Sequence, residues 1–255
     1  GNYLGVKQLK TGKYSIFDLK EMKETAVLED RRIIRLLGLD GEIAVYLAKK
    51  PRELIIFNYR SGNVLKNLKI KGGAKLYNTE GIGENLFILS DENLYIYSKP
   101  RDTVEAVKLK QPSSSGFLPD GEAIYYGSRQ REVVKFSLKS REKQWAIKIG
   151  KELTFKPQKV GEYIVIIPRD NNIYFFNKNG TQYWWDNLRS TCLLPPVPMK
   201  ENVAVFMWDN QVKFFNYKKK EVTTYPLARK AKSNMICIDE YIYMVSGDNV
   251  EPGAP

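Results

Sequence analysis

The chain has 255 residues, with 41 Lys and Arg against 29 Asp and Glu (net charge +12), two Cys and no His. Without histidine there is no Ser-His-Asp or Cys-His nucleophile pair, no imidazole base and no imidazole metal ligand. Two Cys can supply neither a four-cysteine zinc site nor a disulfide framework for a chain of this length. A hydrophobic fraction of 43% and a charged fraction of 27% are those of an ordinary soluble globular protein. The positive balance favours an acidic partner: nucleic acid, an anionic membrane or an acidic protein surface. The longest apolar runs, Tyr163–Pro168 and Val203–Trp208, are strand-sized and far short of a membrane span. No basic-then-apolar leader opens the sequence, and Gly1 reads as the scar of a removed tag.

In chain order, Tyr3–Leu9 resembles a spare second strand, and Tyr14–Leu19 with Glu24–Leu28 read as the third and fourth strands of a repeat. A hairpin pattern then recurs. Gly41-Glu42-Ile43-Ala44-Val45-Tyr46 leads to Glu53–Asn58, and Gly83-Glu84-Asn85-Leu86-Phe87-Ile88 to Asn93–Tyr97. Gly121–Tyr126 leads to Glu132–Phe136, Gly161–Ile166 to Asn172–Asn177, and Lys200–Val205 to Gln211–Asn216. The copies start at 41, 83, 121, 161, 200 and 238, so the period is 38 to 42 residues. Each copy holds four short runs of β-branched and aromatic residues separated by turn chemistry, without helical periodicity. The innermost runs are Ala74–Asn78, Thr154–Pro157 and Cys192–Pro195; the outermost are Val64–Leu68, Val104–Leu109, Gln144–Ile149, Gln182–Trp185 and Val222–Leu227. Four antiparallel strands in about 40 residues describe a propeller blade. The last copy supplies only Asn234–Ile238 and Tyr241–Val245. The expectation is an all-β, single-domain β-propeller over residues 1–255, with six four-stranded blades, one of them closed by both termini. The surplus Tyr3–Leu9 keeps seven open.

Between Gln144-Trp145-Ala146-Ile147-Lys148 and Asn202-Val203-Ala204-Val205 the repeat resembles the pyrroloquinoline-quinone-type propeller repeat. There a Trp on the outer strand precedes a Pro-containing inner strand (Pro157, Pro195-Pro196), a hydrophobic hairpin and a turn such as Asn179-Gly180-Thr181. The resemblance covers about residues 140–227; elsewhere Trp is replaced, near Leu65, Val107 and Thr224. WD repeats are a poorer match, because Trp185-Asp186 and Trp208-Asp209 fall at inconsistent places in the repeat. Among non-enzymes the pattern is similar to the propeller lipoprotein of the bacterial outer-membrane β-barrel assembly machinery. That resemblance implies a periplasmic or otherwise extracytoplasmic scaffold which binds proteins through its loops. It leaves room for a lipid anchor outside these residues. The quinoprotein dehydrogenases share the repeat, but their vicinal Cys pair is missing here and the chain is far shorter. An enzyme therefore ranks third, and no cofactor or metal is expected.

The recurring turn acids Glu42, Glu84, Glu122 and Glu162 read as structural, as do the oxygen-rich turns Asp91-Glu92-Asn93 and Asp170-Asn171-Asn172. Cys192 and Cys237 fall out of register with each other and read as two free thiols. Most aromatics lie in strands (Phe57, Phe87, Tyr95, Tyr125, Phe136, Tyr174, Phe214, Tyr243) and are expected in the core, which argues against a base-stacking nucleic-acid surface. The cations are less evenly spread. Connections from a fourth strand to the next first strand share one face of a propeller, here termed the connector face, with the second-to-third-strand hairpins. They carry Lys69, Lys71, Lys75, Lys108, Lys110, Lys148, Lys151, Arg189, Arg229, Lys230 and Lys232. The plain alternative is a solvated Lys-rich surface. The functional expectation is a basic annulus meeting an acidic protein segment, with Lys71, Lys75, Lys110, Lys151, Arg189, Arg229 and Lys230 as partner-binding residues of a monomeric scaffold. The runner-up is a sensor whose central funnel holds a small anion or sugar.

Overall fold

The structure is a computed structural model that describes residues 3–8, 11–49, 52–70, 74–227, 236–238 and 241–243. Its contacts divide into two compact units, Gly1–Ser113 and Ser114–Pro255. In the first unit, β1 (Tyr3–Lys7), β2 (Tyr14–Asp18) and β3 (Lys23–Leu28) form a three-stranded antiparallel sheet. A four-stranded meander follows: β4 (Ile33–Asp40), β5 (Ile43–Ala48), β6 (Glu53–Asn58) and β7 (Asn63–Lys69). The third sheet repeats it with β8 (Leu76–Ile82), β9 (Asn85–Ser90), β10 (Asn93–Ser98) and β11 (Thr103–Lys108).

The second unit begins with β12 (Ser113–Asp120), β13 (Ala123–Ser128), β14 (Glu132–Ser137) and β15 (Lys143–Lys148). Next come β16 (Gln158–Val160), β17 (Tyr163–Ile166), β18 (Asn172–Phe176) and β19 (Gln182–Asn187), then β20 (Val197–Pro198), β21 (Asn202–Phe206), β22 (Gln211–Asn216) and β23 (Glu221–Pro226). A two-stranded sheet, β24 (Ile236–Ile238) with β25 (Tyr241–Tyr243), completes the described part.

Local chemistry accounts for these boundaries. The glycine that opens each first hairpin (Gly41, Gly83, Gly121, Gly161) has φ between +55° and +61°, a left-handed conformation costly for any residue with a Cβ. The third and fourth strands slip by one residue at Ile16/Phe17, Ile56/Phe57, Lys135/Phe136 and Phe175/Phe176. These bulges fall at equivalent places and add local twist to each sheet. The bulge on β2 identifies it as a third strand. Tyr3–Lys7, the surplus of the sequence count, is therefore its second-strand partner, in register from Tyr3↔Asp18 to Lys7↔Tyr14.

The innermost strands differ from expectation. Thr154–Pro157 and Cys192–Pro195 are not strands; the ladders start later, at Gln158 and Val197. Upstream each keeps a single bridge, Leu153↔Pro168 and Cys192↔Met207. Pro157, Pro195 and Pro196 have no N–H to give to a ladder, so pairing breaks where they occur.

The central strands are buried on both faces. In the first unit Val45, Leu54, Ile56, Leu86 and Ile88 anchor an almost wholly aliphatic cluster. In the second, Ile173, Phe175, Val203, Val205 and Phe215 do so, with Phe155, Tyr163, Tyr183 and Trp184 packed against them. Phe87, Tyr125 and Phe136 are buried as expected. Tyr243 is not: it is 51% exposed on β25. Neighbouring sheets are also tied by charge. Lys99 pairs with Asp40 (2.6 Å) and Lys66 with Asp102 (2.7 Å) in the first unit; Lys159 and Lys178 both pair with Asp120 in the second.

Candidate protein-binding surface

The connector turns hold two kinds of cation. Some belong to the scaffold. Arg52 Nη2 donates to the Ala74 carbonyl at 2.8 Å, and Lys148 pairs with Glu132 (3.1 Å) while donating to the Gln130 carbonyl (3.2 Å). Others face solvent. Of the expected partner-binding residues, Lys75 and Lys110 are exposed in the first unit, Lys151 and Arg189 in the second. Lys71, Arg229 and Lys230 lie outside the described residues. Lys151 precedes β16 and Arg189 follows β19, so one sheet carries both at its connector end. Among the described residues neither forms an ion pair, nor do Arg131 or Arg169, exposed on the hairpins of the second unit. Arg189 sits at φ +62°, its N–H held by Asn187 Oδ1 at 2.8 Å, and Arg131 at φ +59°.

Sequence reasoning passed over two residues here. Trp208 counted as the end of an apolar run, yet it stands 71% exposed on the β21–β22 hairpin, where Asn210 takes φ +60°. Arg169 occupies the corresponding β17–β18 hairpin. The available signal was position: both follow the last core residue of a second strand, where a turn residue belongs.

Arg169 lines a hollow of about 330 Å³ between the broken innermost segments of the two proline-bearing sheets, and the Trp208 backbone adjoins it at Thr191. Arg169, Asn171, Thr154 and Thr191 supply its polar lining, Ile167 and Pro168 its apolar wall, with Cys192 at its base. The Trp208 N–H donates to the Thr191 carbonyl (2.8 Å), the Arg169 N–H to Glu152 (2.9 Å) and the Thr154 N–H to Ile167 (3.2 Å), so the backbone around the hollow is fixed. Burial pushes the Cys192 thiol up to about 12, and its S–H donates to the Leu194 carbonyl (3.1 Å). Both Cys are free thiols.

Two other concavities have different character. A polar hollow of about 550 Å³ in the first unit mixes Lys7, Lys13 and Arg31 with Glu29 and Asp30, and Lys13 is already paired to Glu29 at 2.6 Å. An apolar groove of about 580 Å³ in the second is lined by Met199, Val212, Phe214, Tyr225, Leu227 and Ile242. Among the described residues no cluster of three or more acidic or Cys side chains is placed to hold a metal, and no helix is long and apolar enough to cross a membrane.

No family model matches the sequence, and no curated protein matches it. Solved structures do. BamB from Moraxella catarrhalis superposes with a TM-score of 0.71 at 14% identity, over 96% of this chain and 77% of that one. The β-propeller domain of Cps50 (Swd1) from Myceliophteria thermophila gives 0.67 at 11% identity, over 92% and 86%. BBS1N, solved in complex with ARL6DN, gives 0.69 at 8% identity, over 91% and 78%. At these identities the likeness is one of fold. The fold is an all-β propeller of four-stranded antiparallel blades, consistent with the six counted from the repeat.

Proposed function

We propose that this chain is a non-catalytic propeller scaffold, one domain over residues 1–255, that binds an acidic protein partner through its connector turns in the bacterial cell envelope. The observation that carries this reading is the set of solvent-facing cations without ion pairs in the second unit, Arg131, Lys151, Arg169 and Arg189, beside the exposed indole of Trp208. Arg and Trp are the residues enriched where protein interfaces concentrate their binding energy. The likeness to BamB supports the envelope assignment, and BBS1N, itself solved with another protein, supports a propeller in a binding role. A second reading, a sensor that takes a small anion, draws on the 330 Å³ hollow.

The test is retention on the immobilised protein at low and high salt. Proteins captured at low salt should be lost at high salt, and the double variant Lys151→Gln/Arg189→Gln should retain less of the same set. Unchanged retention by the double variant at low salt would remove the basic turns from the reading.

A further inference from the structure

We infer that the hollow between the two proline-bearing sheets of the second unit seats a carboxylate side chain of the partner, with an adjoining aromatic residue of the partner lying on Trp208. The inference deepens the protein-binding reading and rests on it; it names the segment that the surface selects.

The hollow exists because the innermost ladder is interrupted. In the sheet of β12–β15 an eight-residue innermost strand runs along its neighbour. In the next two sheets Pro157 and Pro195-Pro196 interrupt pairing, so Thr154 and Thr191 lie next to isolated bridges at the gap rather than within a continuous ladder. Beside its apolar wall, the polar residues that line the gap, Arg169, Asn171, Thr154 and Thr191, all carry groups able to donate to an oxygen anion. No acidic side chain lines it. The nearest acid in sequence, Asp170, is engaged in its own turn, where Oδ1 accepts the Asn172 N–H at 3.1 Å and Oδ2 lies near the Tyr174 hydroxyl at 3.4 Å. Asp209 follows Trp208 in its hairpin and does not line the hollow.

Size narrows the occupant further. A volume of about 330 Å³ is at the bottom of the range for small-molecule sites and suits a side chain with its flanking backbone. A guanidinium offers two parallel N–H groups to a carboxylate, which Lys cannot do. Trp208, whose N–H binds the carbonyl of the lining residue Thr191, adds a large exposed ring next to the hollow, which a second carboxylate would not use and an aromatic neighbour would. The segment so described alternates Glu or Asp with an aromatic residue.

The probe is a labelled octapeptide of alternating Glu and Phe, compared with its Gln counterpart by fluorescence anisotropy against the full chain. The Glu peptide should bind at least about tenfold more tightly than the Gln peptide. Arg169→Gln and Trp208→Ala should each weaken it about tenfold, and Arg169→Lys should not restore it. Lys139→Gln removes the same charge at the far ends of the β14 and β15 strands and should leave binding within about twofold. Both site residues are exposed, so unchanged thermal midpoints will certify the variants. Equal binding of Glu and Gln peptides, or equal weakening by Lys139→Gln and Arg169→Gln, would overturn the inference in favour of diffuse charge attraction. Displacement of the peptide by an equal concentration of glutarate would overturn it in favour of a small-anion site. Absence of peptide binding while salt-sensitive protein retention persists would sink the hollow and spare the protein-binding reading; loss of both would sink the two together.

Discussion

The two units use one repeat and finish it differently at the centre. In the first, β4 and β8 run for eight and seven residues beside their neighbours, and the cluster that joins their sheets is mostly aliphatic, while tyrosines pack on the other side of the β4 sheet. In the second, β16 and β20 shrink to three and two residues, the cluster joining their sheets is rich in Phe, Tyr and Trp, and a lined hollow opens at the connector end. The contrast shows how a repeat fold acquires a site. Proline removes ladder donors from an innermost strand, and large rings further out compensate with buried area, so the sheet survives while its inner edge is released. Regular blades serve as frame; irregular ones are free to present side chains.

Four measurements would break or sharpen that contrast. The largest effect is expected from Phe175→Ala. The ring is fully buried, stacks on Trp184 at 4.9 Å and should cost about 3–5 kcal/mol by denaturant titration, against about 2–5 for Ile56→Ala in the aliphatic core. Equal losses would deny the aromatic core its compensating role.

Asp120→Asn comes next, at about 1–3 kcal/mol, because it leaves Lys159 and Lys178 facing an uncharged partner. Burial works to raise the Asp120 carboxyl, but bonds from the two lysines outweigh it and hold the group below the usual carboxylate range. A depressed folded value stabilises at neutral pH, and that contribution fades as pH falls through the ordinary carboxylate value towards the folded one. The variant should therefore show a shallower loss of stability on acidification, measurable as the thermal midpoint against pH.

Third, Gly161→Ala should cost more than Gly41→Ala. Both glycines have φ near +55°, worth about 1 kcal/mol to an added Cβ. At Gly41 that Cβ meets open space, whereas at Gly161 it lands 2.5 Å from the Tyr217 hydroxyl of the following sheet. Equal midpoints would mean that the tyrosine yields freely. Smallest of all, Trp208→Ala should change stability by no more than about 0.5 kcal/mol, since its ring is solvent-facing; a larger loss would make the indole structural.

Much of this architecture could be read in advance because it repeats. The Gly-Glu turns, the β-branched hairpins and the outer strands recur every 38 to 42 residues, and one copy corroborates another. Features that do not recur escaped. Thr154–Pro157 and Cys192–Pro195 have strand-like composition, yet the prolines within them carry no ladder donor. Tyr3–Lys7 was recognisable as a strand but lacked a partner until its register with β2 was visible. Lys148 and Lys151, three residues apart, both lie in one connector; the first is held by Glu132 and the Gln130 carbonyl, the second by no acid among the described residues, and only the fold distinguishes them. Arg169 and Trp208 sit at a turn position where the repeats vary (Lys49, Asp91, Arg129, Arg169, Trp208), so no shared pattern singled them out.

The lysine ties between sheets bear on how the second unit comes apart. Asp120 receives Lys159 from an innermost strand and Lys178 from the β18–β19 turn of the same following sheet, so both margins of that sheet are fastened to one carboxylate. Loosening either margin forfeits part of the same electrostatic anchor. A chain of nearest-neighbour couplings of this kind turns separate sheets into a cooperative ladder, in which local openings are suppressed in favour of wider ones. Amides of β17 and β18 should then exchange with solvent together, on the clock of the whole unit rather than that of a single hairpin.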